Sequence, residues 1–266
     1  MQARVAPPQR GVHWLVEGWR MFKAAPLGWL ALVFAYWLLM TLVSLVPLVG
    51  VAAASIAVPA FSVGFMAAAR AASRGARLEL GMLFEGVRVV PQAQLALGVA
   101  YFASLALVLG GTALIDGGAL ARWMLTGQRP ADEVLQSGDF LAALTAAAAL
   151  YMPVMMMFWF APPLAAWHSV PAPKALFFSV VACLMNWRAF LVYGAATAAV
   201  TLVVPFIVLS ALMLLSGGAL RMSAMALVFP LLITLLPTLF ASFYASYRDV
   251  FGAEESGKVQ GTVQPS

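Results

Sequence analysis

Charge is what this chain has least of. Only 9% of its 266 residues are Asp, Glu, Lys or Arg, against about a quarter in an ordinary soluble domain, while 64% are hydrophobic. So little charge cannot cover a water-facing surface, and lipid must be the main solvent. The same shortage excludes a basic nucleic-acid-binding face, which needs a polar surface to carry it. The single cysteine, Cys183, excludes an internal disulfide and the cysteine-based zinc sites. There are two histidines, His13 and His168. No span interior holds an Asp, Glu, Lys, Arg or His. That removes the paired carboxylates of an intramembrane aspartyl protease and the relay of a proton-coupled pump. No His-Glu-x-x-His run exists for zinc proteolysis. The sequence predicts no enzyme, no catalytic residue, no metal site and no cofactor.

What is present is apolar length. A bilayer core takes about 20 apolar residues per helix. Six such runs follow one another, at residues 27–46, 51–71, 95–115, 140–167, 190–215 and 224–247. The first exceeds the apolar core of a cleavable signal, about 7–15 residues, and the short link 47–50 folds it back on the second as a tight hairpin. The fold class predicted is all-α: a polytopic transmembrane helical bundle of six spans, forming one membrane domain over residues 1–251, with a disordered tail at 252–266. Of the fifteen Lys and Arg, only Arg122, Arg129 and Arg221 fall on one side of the predicted membrane. The other twelve fall on the opposite side, and the positive-inside rule makes that side cytoplasmic. The protein is expected in a bacterial inner membrane with both termini in the cytoplasm.

Three amphipathic segments, 11–24, 78–90 and 172–188, precede the three pairs of spans and are expected to lie at the membrane interface. In the first, Val12, Leu15, Trp19 and Phe22 form an apolar stripe, with His13, Glu17 and Arg20 opposite. In the second, Leu80, Leu83, Phe84 and Val87 face one way. In the third, Ser179, Ala182, Cys183 and Asn186 form a narrow polar stripe. Each segment followed by a hairpin of spans makes a threefold repeat. Gly18, Arg20 and Leu27 return 68 residues later as Gly86, Arg88 and Leu95, and Pro59, Ala67 and Arg70 return 178 residues later as Pro237, Ala245 and Arg248.

Three further stretches carry a resemblance: Asn186-Trp187-Arg188-Ala189-Phe190-Leu191, Phe160-Ala161-Pro162-Pro163-Leu164 with Trp167-His168, and Tyr247-Arg248-Asp249-Val250-Phe251. On these the chain resembles an uncharacterised family of bacterial six-span inner-membrane proteins, distantly similar to the membrane-anchor region of some glycerophosphodiester phosphodiesterases. The resemblance implies a membrane protein without catalytic residues of its own. The phosphodiesterase relatives keep their chemistry in a separate soluble domain, so it implies no phosphodiesterase activity here.

Two sets of residues are candidates for function. Arg70, Arg74 and Arg77, at spacings of four and three, can share one face beyond the second span and meet lipid headgroups, each cation contributing roughly 1 kcal/mol at an anionic leaflet. They also serve simply to fix topology. Pro59, Pro162, Pro205 and Pro237 mark kinks, or a pocket where a freed carbonyl and hydroxyls such as Ser62, Thr201 and Thr238 could hold an ion or solute. Kinks of this kind are tolerated in spans generally. Gly64 with Ala68 and Gly194 with Ala198 have the small-xxx-small spacing that brings helices together within a bundle or between two copies. The expected partners are membrane lipids, a second copy or another membrane protein, and no nucleic acid. The function expected is a non-enzymatic lipid- or partner-binding module in envelope organisation. The alternative is a transporter of a small apolar or zwitterionic solute.

Overall fold

In hydrocarbon no water is available to the backbone, so every N–H and C=O must find its partner within the chain, and an apolar chain satisfies them as helices. A computed structural model describes residues 3–46, 49–215 and 221–252, and no strand occurs among the described residues. The helices in chain order are α1 (Arg10–Ala24), α2 (Pro26–Ser44), α3 (Gly50–Ser73), a 3-10 turn (Leu80–Phe84) running into α4 (Glu85–Val89), α5 (Pro91–Asp116), α6 (Ala119–Thr126), α7 (Asp132–Leu135), α8 (Gly138–His168), α9 (Ala172–Met185), α10 (Trp187–Ala198), a π turn (Ala199–Val203), α11 (Val204–Leu215) and α12 (Arg221–Phe251). Among the described residues, five stretches are long and apolar enough to cross a membrane: α2, α3, α5, α8 and the run Trp187–Ala211. The sixth apolar run falls within α12, whose 31 residues reach about 46 Å at 1.5 Å per residue. Pro47 and Leu48 of the first hairpin turn, and the expected tail from residue 253 on, lie outside the described residues.

Local chemistry sets the ends of these helices. Pro91 opens α5 at a position where its missing N–H costs nothing. Ser137 caps α8, its hydroxyl accepting from the Phe140 amide at 3.2 Å. The π turn sits directly ahead of Pro205. A proline removes the donor to the carbonyl four residues back, and a widened turn absorbs that misfit. Asp116 folds the connection that follows α5, because its carboxylate accepts from the amides of Gly118 (2.9 Å) and Leu120 (2.7 Å) and so starts α6. Ala119 and Leu120 of α6 then pack on Phe140 and Ala143 of α8. Helix α7 (Asp132–Leu135) follows as a single turn.

The chain forms two compact units. The first comprises residues 1–36, 64–83 and 181–266, and in it α1 packs on α10 and α12. This contact buries part of the apolar stripe. The buried residues of α1 are Gly11, Trp14, Leu15, Gly18, Met21 and Phe22, while Val12 and Trp19 are exposed. Glycine decides which face turns inward. A Cβ on Gly11 would lie 2.2 Å from the Ala189 carbonyl oxygen, and one on Gly18 would lie 2.4 Å from that of Thr238. Apolar lipid gives two apolar helices no hydrophobic reason to associate, so close approach and polar contacts hold them. Trp29 of α2 is buried and donates to the Met21 carbonyl at 3.1 Å. Phe65 of α3 stacks on Phe240 of α12 at 4.0 Å.

The second unit comprises residues 37–63 and 84–180, and in it α5 lies along α8. The Tyr101 and Tyr151 hydroxyls meet at 3.1 Å, and Tyr101 is edge-on to Phe158 at 5.0 Å. At the short α4 a Cβ on Gly86 would lie 2.4 Å from the Ala60 carbonyl oxygen of α3. Gly86 is Gly18 moved on by 68 residues, and Ala60 is the counterpart of Thr238 at the interval of 178. The same glycine crossing is therefore made twice, at the positions where the repeat places it. Of the four residues expected to share a face here, only Leu83 is buried, and Leu80, Phe84 and Val87 are exposed.

Segment α9 is amphipathic in the inverted sense. Its polar stripe, Ser179, Ala182, Cys183 and Asn186, is buried, whereas Leu184 and Met185 are exposed. Ser179 inserts its hydroxyl into the hydrogen-bond ladder of α8, accepting from the Phe160 amide at 2.9 Å and donating to the Met156 carbonyl at 2.6 Å. A side chain inserted in this way replaces the direct bond from residue 160 to residue 156.

Candidate functional site

The polar chemistry of the first unit gathers where the two ends of the chain meet. Charged side chains that cannot enter hydrocarbon collect at helix ends, and here they pair. Arg10 of α1 grips Asp249 near the end of α12 with two N–H groups, Nε at 2.5 Å and Nη2 at 2.7 Å. The same Nη2 reaches Glu17 at 3.1 Å, and Arg248 donates to the other oxygen of Glu17. The Trp14 indole N–H, on a wholly buried ring, donates to Asp249 at 2.7 Å. Two arginines and two carboxylates make the group neutral. Hydrogen bonding to Asp249 is the largest cause of a raised Arg10 pKa, opposed by partial burial and helped by the charges of Asp249 and Glu17.

Ahead of α1 the chain runs as a strap. The Arg4 amide donates to the Val250 carbonyl at 3.0 Å. Asn186, between α9 and α10, accepts from the Ala6 amide at 2.7 Å and donates to the Arg4 carbonyl at 3.0 Å. The two termini are therefore clasped by side-chain and backbone bonds together. Arg10, Trp14 and Glu17 belong to one end of the sequence and Arg248 and Asp249 to the other, a separation that hides the pairing from a one-dimensional reading. The available signals were Asp249 beside Arg248 in a chain nearly free of charge, and Asn186 in an apolar segment.

The three candidate arginines are not brought onto one helix face. Helix α3 ends at Ser73, and Gly75 closes it in the left-handed conformation with φ of 71°. The Ala76 amide returns to the Ala71 carbonyl at 3.0 Å and the Gly75 amide to that of Ala72 at 3.1 Å, a glycine stop that satisfies the last carbonyls. Arg70 is in the last turn of α3, Arg74 is in the stop itself, and Arg77 lies beyond it on exposed irregular chain.

The prolines are divided. Pro59 and Pro162 belong to the second unit, Pro205 and Pro237 to the first, and all four are buried in helices. The Pro162 carbonyl accepts from the buried Gln94 amide at 2.9 Å, while Gln94 Oε1 has no hydrogen-bond partner among the described residues. The hydroxyls read as a lined path are turned onto their own helices. Ser62 donates to Pro59, Thr201 to Thr197 and Thr238 to Thr234, at 2.7 to 2.9 Å. Such bonds satisfy a hydroxyl anywhere in a helix and give a solute path no support. His13 binds the Gln9 carbonyl at 2.8 Å, His168 is exposed at the end of α8, and Cys183 is buried. Among the described residues no three His, Cys, Asp or Glu gather as a metal group.

Helices of membrane-spanning length whose charged residues lie only at their ends define a multi-pass helical membrane protein. The chain belongs to the family of a probable inner membrane protein of Burkholderia thailandensis, to which it is 43% identical over 263 residues, 97% of this chain and 96% of that one. It is accordingly a multi-pass inner-membrane protein. No protein-family model matches it, and no solved structure does.

Proposed function

We propose that this protein is a non-enzymatic membrane module that binds anionic lipid, or a membrane-protein partner, in the organisation of the bacterial envelope. The observation that carries this reading is the clasp. It uses Glu17 and Asp249 on Arg10 and Arg248, which leaves other arginines of the same unit outside it. Arg20, Arg77 and Arg188 have no acidic partner among the described residues. Unneutralised arginines near a membrane surface attract an anionic leaflet. The clasp also supports an even number of crossings, because Arg4 and Arg10 meet Asp249 and Val250. With the five spanning stretches of the preceding chain, this supports α12 as the sixth, and the charge distribution supports a cytoplasmic side for both ends. The stretches on which the resemblance to phosphodiesterase membrane anchors rests include Asn186 and Arg248-Asp249 of the clasp, consistent with an anchoring rather than a catalytic module.

Arg70, Arg74 and Arg77 are the proposed headgroup contacts at the end of α3. Changing all three to glutamine, in protein reconstituted into phosphatidylcholine vesicles containing phosphatidylglycerol, should lower the phosphatidylglycerol retained on extraction while insertion is unchanged. Retention equal to wild type would reduce the cluster to a topology device.

A further inference from the structure

An open groove of about 410 Å³ lies between the strap and the start of α10, with Val5, Pro7 and Pro8 on one side and Asn186, Trp187 and Arg188 on the other. We propose that this groove binds the phosphodiester headgroup of an anionic phospholipid, with Arg188 as its cation. The proposal deepens the lipid-binding reading and rests on it, at a place separate from the arginines that end α3.

Charge comes first. Among the described residues no Asp or Glu lines the groove. The Arg188 guanidinium lies 5.3 Å from the centre of the Trp187 ring, an arrangement that holds the planar group while leaving its N–H edge open to phosphate oxygens. The backbone adds to it. Helix α10 starts at Trp187, and Asn186 makes no side-chain cap to it, because the Asn186 amide is held by Ala6, Arg4 and Ala182. The positive end of a twelve-residue helix thus opens beside the arginine.

The surroundings select a lipid over a soluble phosphate. Leu184, Met185, Trp187 and Leu191 are all exposed large apolar side chains. They give acyl chains a wall below the headgroup, and a free anion has no use for it. The far wall is also fixed before any ligand arrives: two bonds tie the strap to Asn186 and a third ties it to Val250. A site already shaped spares the ordering cost of binding.

The test uses the full chain reconstituted into phosphatidylcholine vesicles carrying a minority of phosphatidylglycerol, extracted in mild detergent, with bound lipid counted by native mass spectrometry. Wild type should hold phosphatidylglycerol in preference to phosphatidylcholine. Arg188→Gln should lower the amount retained about fivefold, the worth of one cation at an anionic surface. Arg188→Lys should keep part of it, and this variant separates loss of the site from loss of the fold. Equal retention by wild type and Arg188→Gln overturns the site. If the variant lacking Arg70, Arg74 and Arg77 loses phosphatidylglycerol in that same experiment, the broader reading survives without it. Wild type holding no phosphatidylglycerol above phosphatidylcholine overturns both. Displacement of the bound lipid by soluble glycerol phosphate would assign the groove to a free phosphoester and overturn the lipid assignment.

Discussion

Replacing Asp249 by alanine removes the centre of the clasp, and two costs add. Trp14 is wholly buried and donates to Asp249 at 2.7 Å. A buried donor stripped of its acceptor costs about 1–3 kcal/mol. The Arg10–Asp249 pair is only partly buried, with side-chain exposures of 30% and 15%, so solvent screening holds it to about 1 kcal/mol or less. The expected loss is roughly 1–4 kcal/mol, a fall in melting midpoint on the order of 3–12 °C for a chain of this size. Cys183 supplies the assay: it is the single thiol, it is buried in the same unit, and a thiol-reactive fluorophore reports its exposure on heating. Asp249→Asn should fall less, because one carbonyl oxygen remains for Trp14. In a double-mutant cycle Arg10→Gln and Asp249→Asn should be coupled. An Asp249→Ala midpoint equal to wild type, or a cycle without coupling, would refute the clasp. The effect should not vary with pH near neutrality. Arg10 has a raised pKa, so its contribution is complete below its ordinary value and is lost only as pH rises through the raised one, far above neutral.

Gly18→Ala and Gly86→Ala should each destabilise by about 1–3 kcal/mol through overpacking, since the added carbon meets backbone oxygen at 2.4 Å in both places. Gly194→Ala meets nothing within 4 Å and should be neutral or stabilising in the same melting assay. Ser179→Ala removes the hydroxyl inserted in α8, and should cost about 1–3 kcal/mol if the Phe160 amide is left unpaired. A loss of that size in the melting assay means the ladder stays open, and no loss means it closes directly on Met156. Reporter fusions after residues 48, 127 and 266 should read outside, outside and inside; an outward C-terminal fusion would break the six-span arrangement.

The spans were legible because the backbone in hydrocarbon has one cheap solution and apolar length reveals it. Helix faces were less so. In a soluble protein an apolar stripe marks the buried side, but where lipid replaces water both sides of a helix can be apolar. Val12 and Trp19 share the apolar stripe with Leu15 and Phe22 and yet stay exposed, while Gly11 and Gly18, which decide the packing, carry no hydropathy. The polar stripe of α9 was recognised but not its direction: Ser179 and Asn186 turn inward because their hydrogen-bond partners are there. The repeat was visible as intervals of 68 and 178 residues, and the matched crossings at Gly18 and Gly86 give those intervals a structural meaning. The arginine spacing after the second span assumed a helix that Gly75 ends, a glycine stop that the sequence does display. Missing altogether was the joining of Trp14 and Arg10 to Asp249, since nothing local relates residues at opposite ends of a chain.

The account turns on what the protein holds in its own membrane. Mild cross-linking in native membranes, extraction in a lipid-retaining polymer and mass spectrometry of everything bound would answer it directly. The account predicts one enriched anionic lipid, or a stoichiometric membrane-protein partner. Recovery of the bare chain with lipid in bulk proportions would contradict it.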